Sequence, residues 1–383
     1  MKSISYACLA ARLTGGLLVA WSLNSTAIEA PKAASPEQQP QQQPSTQVSI
    51  VPTDETRFYQ RLQFVTHKRM LAGLGVKEEV IRTLSTGAAD AAIGDLNNQS
   101  AAGDKNATIA LVRIQHWCSR IGSTQPTDAQ GQLARLSSVL PPERLARVAG
   151  VFVAERGYLE QARQGCGKAA FDYNGIESRL RMAVDAGDPA SATEMAQFSR
   201  DPARREALLK QAADSNFAPA QYALATTRVV AVQRNISTEN VASIRLLLKQ
   251  AGRSMSKAKV DLANCMALGC DGHPADTSGA TAFGIDAARD GEPSAFVSMM
   301  RMPWGMRLTR QQLIAWQSFG ERLNEAGCTG DGYVQSAAFY IQSLAALQNK
   351  QPPKVLEEAN AQLETLWKQN GERAKREQGC NSE

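Results

Sequence analysis

The chain has 383 residues, with 42 lysines and arginines against 37 aspartates and glutamates and a formal net charge of +5. Its basic residues are scattered instead of gathered into a stripe, which reads as solvated surface and argues against nucleic-acid binding. Three histidines, no glycine-rich phosphate loop and no nucleophile elbow leave the standard hydrolase and nucleotide-binding classes without a motif.

At the start, Lys2 and Arg12 are followed by a short apolar segment, LTGGLLVAWSL, and then by the small residues Ser25 and Ala27. The segment is too short to span a bilayer comfortably, so residues 1–27 read as a secretory signal cleaved after Ala27. An uncleaved anchor is the competing reading. Cys8 precedes the apolar core and is badly placed for a lipidated cysteine. Loss of Lys2 and Arg12 with the signal leaves 40 basic against 37 acidic residues, and no stable membrane insertion is expected afterwards. Residues 28–52, including PEQQPQQQPSTQ, lack aromatic residues and read as a disordered Pro/Gln-rich tether.

Folded sequence begins near Thr53, a helix cap ahead of a segment with Phe58, Leu62, Val65 and Leu71 along one side and Gly73 at its end. Residues 76–84, 107–121, 129–140 and 143–165 show the 3.6-residue period, with Pro141 and Pro142 separating the last two. No stretch alternates apolar and polar residues long enough to argue for a sheet. The predicted class is all-α, with residues 53–175 as an N-terminal helical region.

The next region, 176–302, carries a recurring pattern. In REALLKQAADSNFAPAQYALA, starting at Arg205, Leu208, Leu209, Ala212 and Ala213 mark one helix, and Ala220, Tyr222, Ala223 and Leu224 a second. Asn216 lies at the turn, where a left-handed residue is needed. The same hinge, small position and larger position recur as Gly187, Ser191 and Met195, and as Gly291, Ala295 and Met299. Fainter copies have Ala251, Ala258 and Leu262, one residue short in the turn, and Gly103, Ala107 and Leu111. A small residue lets two helices approach closely while a larger one fills the groove beside it. One such hairpin cannot bury its apolar side alone, so neighbours must stack. The spacing is uneven, and a non-repetitive helical domain is the competing architecture.

The segment KQAADSNFAPAQYALA resembles a Sel-one-like repeat, a relative of the tetratricopeptide repeat, with Asn216 where that pattern usually has Gly. The resemblance covers residues 177–300 and implies an α-hairpin solenoid. It also implies a scaffold that holds a protein or peptide partner, in the cell envelope for some such arrays.

After an interruption at Met302, Pro303, Trp304 and Gly305, two helices are predicted over 309–326 and 333–348, and a third over 352–378. Along the third, Val355, Leu356, Ala359, Leu363, Leu366 and Trp367 face inward, with i,i+4 pairs Glu364–Lys368 and Glu372–Arg376 outside. Residues 303–383 read as a capping bundle, which an array needs to cover its last apolar face.

Six cysteines remain beyond the signal, an even set that fits an exported, periplasmic or secreted protein and allows fifteen connectivities. Pairing of sequence neighbours is expected: Cys118 with Cys166, Cys265 with Cys270, and Cys328 with Cys380. Cys265, Cys270 and His273 also have the C-x4-C-x2-H spacing of a three-ligand zinc site, but a fourth ligand is missing and a disulfide is the better reading. His116 and His67 read as structural, since no orienting acid can be named for either. No catalytic residue, metal or cofactor is assigned.

The enzyme alternative rests on Glu177-Ser178, which faintly resembles the Glu-Ser motif of soluble lytic transglycosylases, with Glu177 as the acid. Its bland counterpart is an exposed glutamate in the first turn of a helix. A purely structural spacer is the third reading. Partner-binding candidates are Gln221, Arg228, Lys259 and Met266, on the second helices that would form a concave face, and Trp304 in the break. Trp304 reads either as an exposed anchor for a partner or as packing over the end of the array.

Overall fold

The computed structural model describes residues 53–125, 127–233, 241–270 and 273–380, and the signal and tether expectations lie outside them. The described residues are α-helices, two single-turn 3-10 helices and their connections, with no strand among them. In order, the helices are α1 (Asp54–Met70), α2 (Glu78–Ser85), α3 (Ala89–Ala101), α4 (Lys105–Ser123), α5 (Ala129–Leu136) and α6 (Pro142–Lys168). The central ones are α7 (Tyr173–Asp185), α8 (Pro189–Phe198), α9 (Pro202–Asp214), α10 (Ala218–Gln233), α11 (Val241–Ala251), α12 (Ser256–Leu268), α13 (Thr277–Arg289) and α14 (Pro293–Arg301). The C-terminal ones are α15 (Arg310–Glu325), α16 (Tyr333–Gln348) and α17 (Pro353–Glu377).

The pairs α3–α4, α7–α8, α9–α10, α11–α12 and α13–α14 are helical hairpins built to one plan. Their turns pass through the left-handed region at Gly103 (φ 95°), Gly187 (φ 84°), Asn216 (φ 59°) and Gly291 (φ 75°), conformations that glycine and asparagine tolerate best. At three of the four, the next residue is an acidic cap that accepts from the following helix: Asp104 from Asn106 N at 2.8 Å, Asp188 from Ser191 N at 2.8 Å, and Glu292 from Ser294 N at 3.2 Å. The shorter turn between α11 and α12 has no left-handed residue. Four residues after each hinge, Ala107, Ser191, Ala220 and Ala295 are buried against the partner helix, as is Ala258 in the shortened copy. Leu111, Leu224, Leu262 and Met299 fill the adjoining space, whereas Met195 is only half-buried. Each hairpin packs on the next through α8 and α9, α10 and α11, and α12 and α13. The array of hairpins is therefore the fold, and the small positions set its spacing.

Two large cores run through it. One joins α1 to α6 with Ile176 and Leu180 of α7 and Tyr333 of α16, and the other joins Val184 of α7 through Cys380 with Val65 of α1. Helix α7 thus belongs to both. Helix α3, which begins after the left-handed Gly87, has no counterpart among the predicted elements, because its polar end, Asn97 to Ser100, masks the period of Ala92, Ile93 and Leu96.

The C-terminal helices cover the last hairpin and also return to the first helix. Helix α17 packs along α15 and touches α13, with Ala359 buried and Leu363, Leu366 and Trp367 against the core. Its outer ion pairs differ from the expected i,i+4 set: Glu364 reaches Arg322 on α15 at 2.7 Å and Glu372 pairs with Lys375 at 2.8 Å. Arg322 also lies 4.9 Å from the Trp367 ring, so its position is fixed from two sides. On α1, Thr66 Oγ1 accepts from Asp331 N at 3.0 Å, and Phe58 meets Tyr333 edge-on at 5.0 Å. Arg144 on α6 pairs with Glu321 on α15 at 2.8 Å. The two ends of the folded chain are joined.

Three disulfides reinforce this arrangement. Cys118–Cys166 ties α4 to α6, Cys265–Cys270 closes the end of α12, and Cys328–Cys380 links the residues after α15 to those after α17. With both sulfurs of the C-x4-C-x2-H segment in a disulfide, that segment presents no thiolate to a metal. Among the described residues, no helix is long and apolar enough to cross a membrane.

Candidate interaction groove

Helices α4, α7 and α8 and the start of α9 enclose an open groove of about 320 Å³ at the junction of the two cores. Its floor is apolar: Val112 from α4, Ile176 and Leu180 from α7, and the half-buried Met195 from α8. Two aromatic residues stand on its rim, Tyr173 at 58% exposed and Phe198 at 41% exposed. Tyr173 is the first residue of α7, while Phe198 is the last of α8, so both sit where a helix ends and cannot be covered by its own next turn. His116 packs against Phe198 with ring centroids 4.4 Å apart and holds it at the edge.

Beneath the groove the helices are locked by charge. Glu194 on α8, only 4% exposed, pairs with Arg113 on α4 at 2.7 Å, and Arg113 Nη1 also donates to the Met70 carbonyl at 2.7 Å. Lys105 and Asp188 add a pair at 2.6 Å between the starts of α4 and α8. A charge-assisted, largely buried pair of this kind fixes relative helix position more firmly than an exposed one.

Two charged side chains line the groove. Glu177 is 67% exposed and paired with Arg181 at 2.8 Å. A general acid of the transglycosylase kind needs a buried carboxyl whose proton is held by desolvation. Glu177 has neither the burial nor a second acidic partner, and its position matches the exposed first-turn reading. Arg204, at the start of α9, is exposed and has no ion-pair or hydrogen-bond partner among the described residues.

The partner candidates named from sequence lie elsewhere and are structural. Trp304 is 0% exposed: its indole N–H donates to Asn264 Oδ1 at 3.0 Å, and its ring lies against Gly284, where a Cβ would collide with it. That placement corrects the exposed-anchor reading, because a satisfied N–H and a glycine opposite let the whole ring enter the core. Gln221 is buried, with Nε2 donating to the Ala213 carbonyl at 3.4 Å, and Met266 is buried in the second core. Arg228 pairs with Glu206 at 3.1 Å and donates to Ser243 at 2.6 Å. Lys259 bridges Asp286 at 2.6 Å and Asp290 at 2.8 Å. Burial alone would raise the Asp290 carboxyl, but Lys259, Ser256 and Arg373 around it hold it below the ordinary carboxylate range. These side chains tie helices together.

The structure also shows two polar sites that the sequence did not suggest. Tyr222 Oη donates to Asp261 Oδ2 at 2.8 Å, linking α10 to α12, and burial pushes the Asp261 carboxyl up. His67 is fully buried on α1, with Nδ1 3.5 Å from Ser85 Oγ, Nε2 3.3 Å from Tyr158 Oη, and Trp117 edge-on at 5.0 Å. Burial lowers its pKa to about 4, so it is neutral at physiological pH.

No family model and no curated protein matches the chain. Among solved structures it is similar to a protective antigen of uropathogenic Escherichia coli strains that displays an SLR fold. The identity is 16% and the TM-score 0.43, with 85% of this chain and 71% of that chain covered.

Proposed function

We propose that this chain is an exported, non-enzymatic helical-hairpin scaffold that binds another protein or a peptide in the cell envelope. The observation that carries the reading is the groove between α4, α7 and α8, with Tyr173 and Phe198 exposed above an apolar floor. Solvent-exposed aromatics around a concave apolar surface are what partner anchoring uses, and elsewhere they cost solubility. The groove is also pre-formed: the Arg113–Glu194 and Lys105–Asp188 pairs hold α4 against α8 before any partner arrives, which lowers the ordering cost of binding.

Export is supported by the three disulfides, which persist in oxidising compartments and are rare in the cytosol. Cell fractionation with thiol alkylation tests it, and a cytosolic, fully reduced chain would refute it.

Binding is tested by chemical cross-linking in the envelope followed by capture of the full chain, comparing the natural protein with Phe198→Ala. Recurrent partners that vanish in the variant support the reading. Glycan fragments in place of protein partners, or an unchanged partner set in Phe198→Ala, would contradict it.

A further inference from the structure

We infer that the groove takes an extended peptide segment carrying a carboxylate close to a large apolar side chain; this rests on the peptide-binding reading above and specifies its ligand. Charge on the groove wall selects the ligand's sign. Of the two charged residues on the groove wall, Glu177 is neutralised by Arg181 at 2.8 Å, so the uncompensated charge is that of Arg204. Arg200, four residues earlier in the α8–α9 connection, is also exposed and without a partner among the described residues. A lysine or arginine brought to this rim meets like charge, whereas a carboxylate gains a charge-assisted hydrogen bond from a guanidinium that has no competing partner.

Size and chemistry fix the rest. The volume, about 320 Å³, is at the small end of ligand sites, about 300–1,000 Å³, and suits a short stretch of chain in place of a folded domain. Val112, Ile176, Leu180 and Met195 offer a floor with no polar side-chain atom, which selects a large apolar or aromatic side chain. Gln115, on the α4 wall, has an amide with no partner among the described residues and is free to pair with peptide backbone. The carboxylate can belong to an Asp or Glu side chain or to a free C-terminus, and the chemistry at Arg204 is the same in both cases.

The test uses the full chain and fluorescein-labelled octapeptides of Gly and Ser bearing one Phe and, two residues on, Asp, Asn or Lys. Each is made as the C-terminal acid and as the amide, and binding is read by fluorescence polarisation. The Asp amide or the Asn acid should bind about tenfold more tightly than the Asn amide, with the Lys peptide weakest. Which of the two gains tells side chain from terminus. Arg204→Gln, at an exposed position where folding is undisturbed, should erase the difference, and Phe198→Ala should weaken every peptide. Raised salt should reduce the advantage as well.

Equal binding of the Asp and Asn amides and acids overturns the inference, as does an advantage that survives Arg204→Gln. Carboxylate-blind binding that is lost in Phe198→Ala overturns it while leaving the peptide-binding function standing. Binding of none of the peptides overturns the ligand assignment, and the cross-linking capture then decides the broader reading separately.

Discussion

Arg69 on α1 and Gln378 just beyond α17 are 309 residues apart in sequence and meet through two hydrogen bonds. Arg69 Nε donates to the Gln378 carbonyl at 3.2 Å and Nη2 to its Oε1 at 2.6 Å. Nη2 also donates to the carbonyl of Cys328, so one guanidinium joins a cysteine of the last disulfide to the segment that carries its partner. Gln378 in turn donates through Nε2 to the Asp290 carbonyl at 3.0 Å, which carries the link on to the final hairpin. An array that would otherwise have two free ends instead has its first helix seated on its last elements.

Arg69→Ala should lower stability by about 2 kcal/mol, because it leaves carbonyls without a charged donor. Arg69→Lys should recover only part of this, since an ammonium cannot reproduce the planar fork. Urea denaturation of the three proteins checks the order.

Loop length orders the disulfides. Cys328–Cys380 and Cys118–Cys166 span separations of 52 and 48 residues, and Cys265–Cys270 spans 5. In the chain-entropy model the long pairs stabilise by about 4 kcal/mol each and the short one by about 2 kcal/mol. Double Cys→Ser variants, melted by calorimetry, should show the two long pairs costing more. A reducing agent should lower the melting temperature of the natural chain.

His67 makes stability depend on pH in a defined window. Its pKa is near the ordinary 6.5 in the unfolded chain and about 4 in the fold, where burial opposes the charge. As pH falls below 6.5, the unfolded state takes up a proton that the folded state refuses until about pH 4. Stability is therefore fully present above 6.5 and falls by about 3 kcal/mol across that window. His67→Gln, which can still pair with Ser85 and Tyr158, should flatten this dependence in chemical denaturation run from pH 7 to 4.

The carboxylate of Asp290 behaves in the same direction but at lower pH. Its folded pKa is below the ordinary carboxylate value, so its stabilisation is present above that value and lost as pH falls through the depressed one. Lys259→Ala removes a cation 2.8 Å from a carboxylate that is 4% exposed, and should cost about 2 kcal/mol at neutral pH. The loss should shrink in acid, where Asp290 is protonated in both proteins.

Local features of the fold were legible in the sequence, and closure was not. Gly187, Asn216 and Gly291 announce their turns because few residues enter the left-handed region, and Ala220 and Ala295 announce close helix approach. Nothing in a local period reports that Arg69 will reach Gln378 or that Arg373 will sit beside Asp290, since those contacts join elements far apart in the chain. For that reason Lys259 reads from sequence as a partner-binding side chain and is in the fold a bridge to Asp286 and Asp290. Trp304 looked like a possible anchor, yet Gly284 and Asn264 make room and a partner for it. The groove is invisible in the sequence because neither Tyr173 nor Phe198 stands in a motif or at a repeat position. Only their places at helix ends leave them uncovered.

The central claim, that partners dock between α4, α7 and α8, is tested most directly by site-specific photocrosslinking in the envelope. A photoreactive side chain is placed at Phe198, and in a second protein at Met306, which is 77% exposed and outside the groove. Discrete, recurrent adducts at position 198 and none at 306 are expected. Adducts of equal yield at both positions, or none at 198 in a protein that melts normally, would contradict the claim.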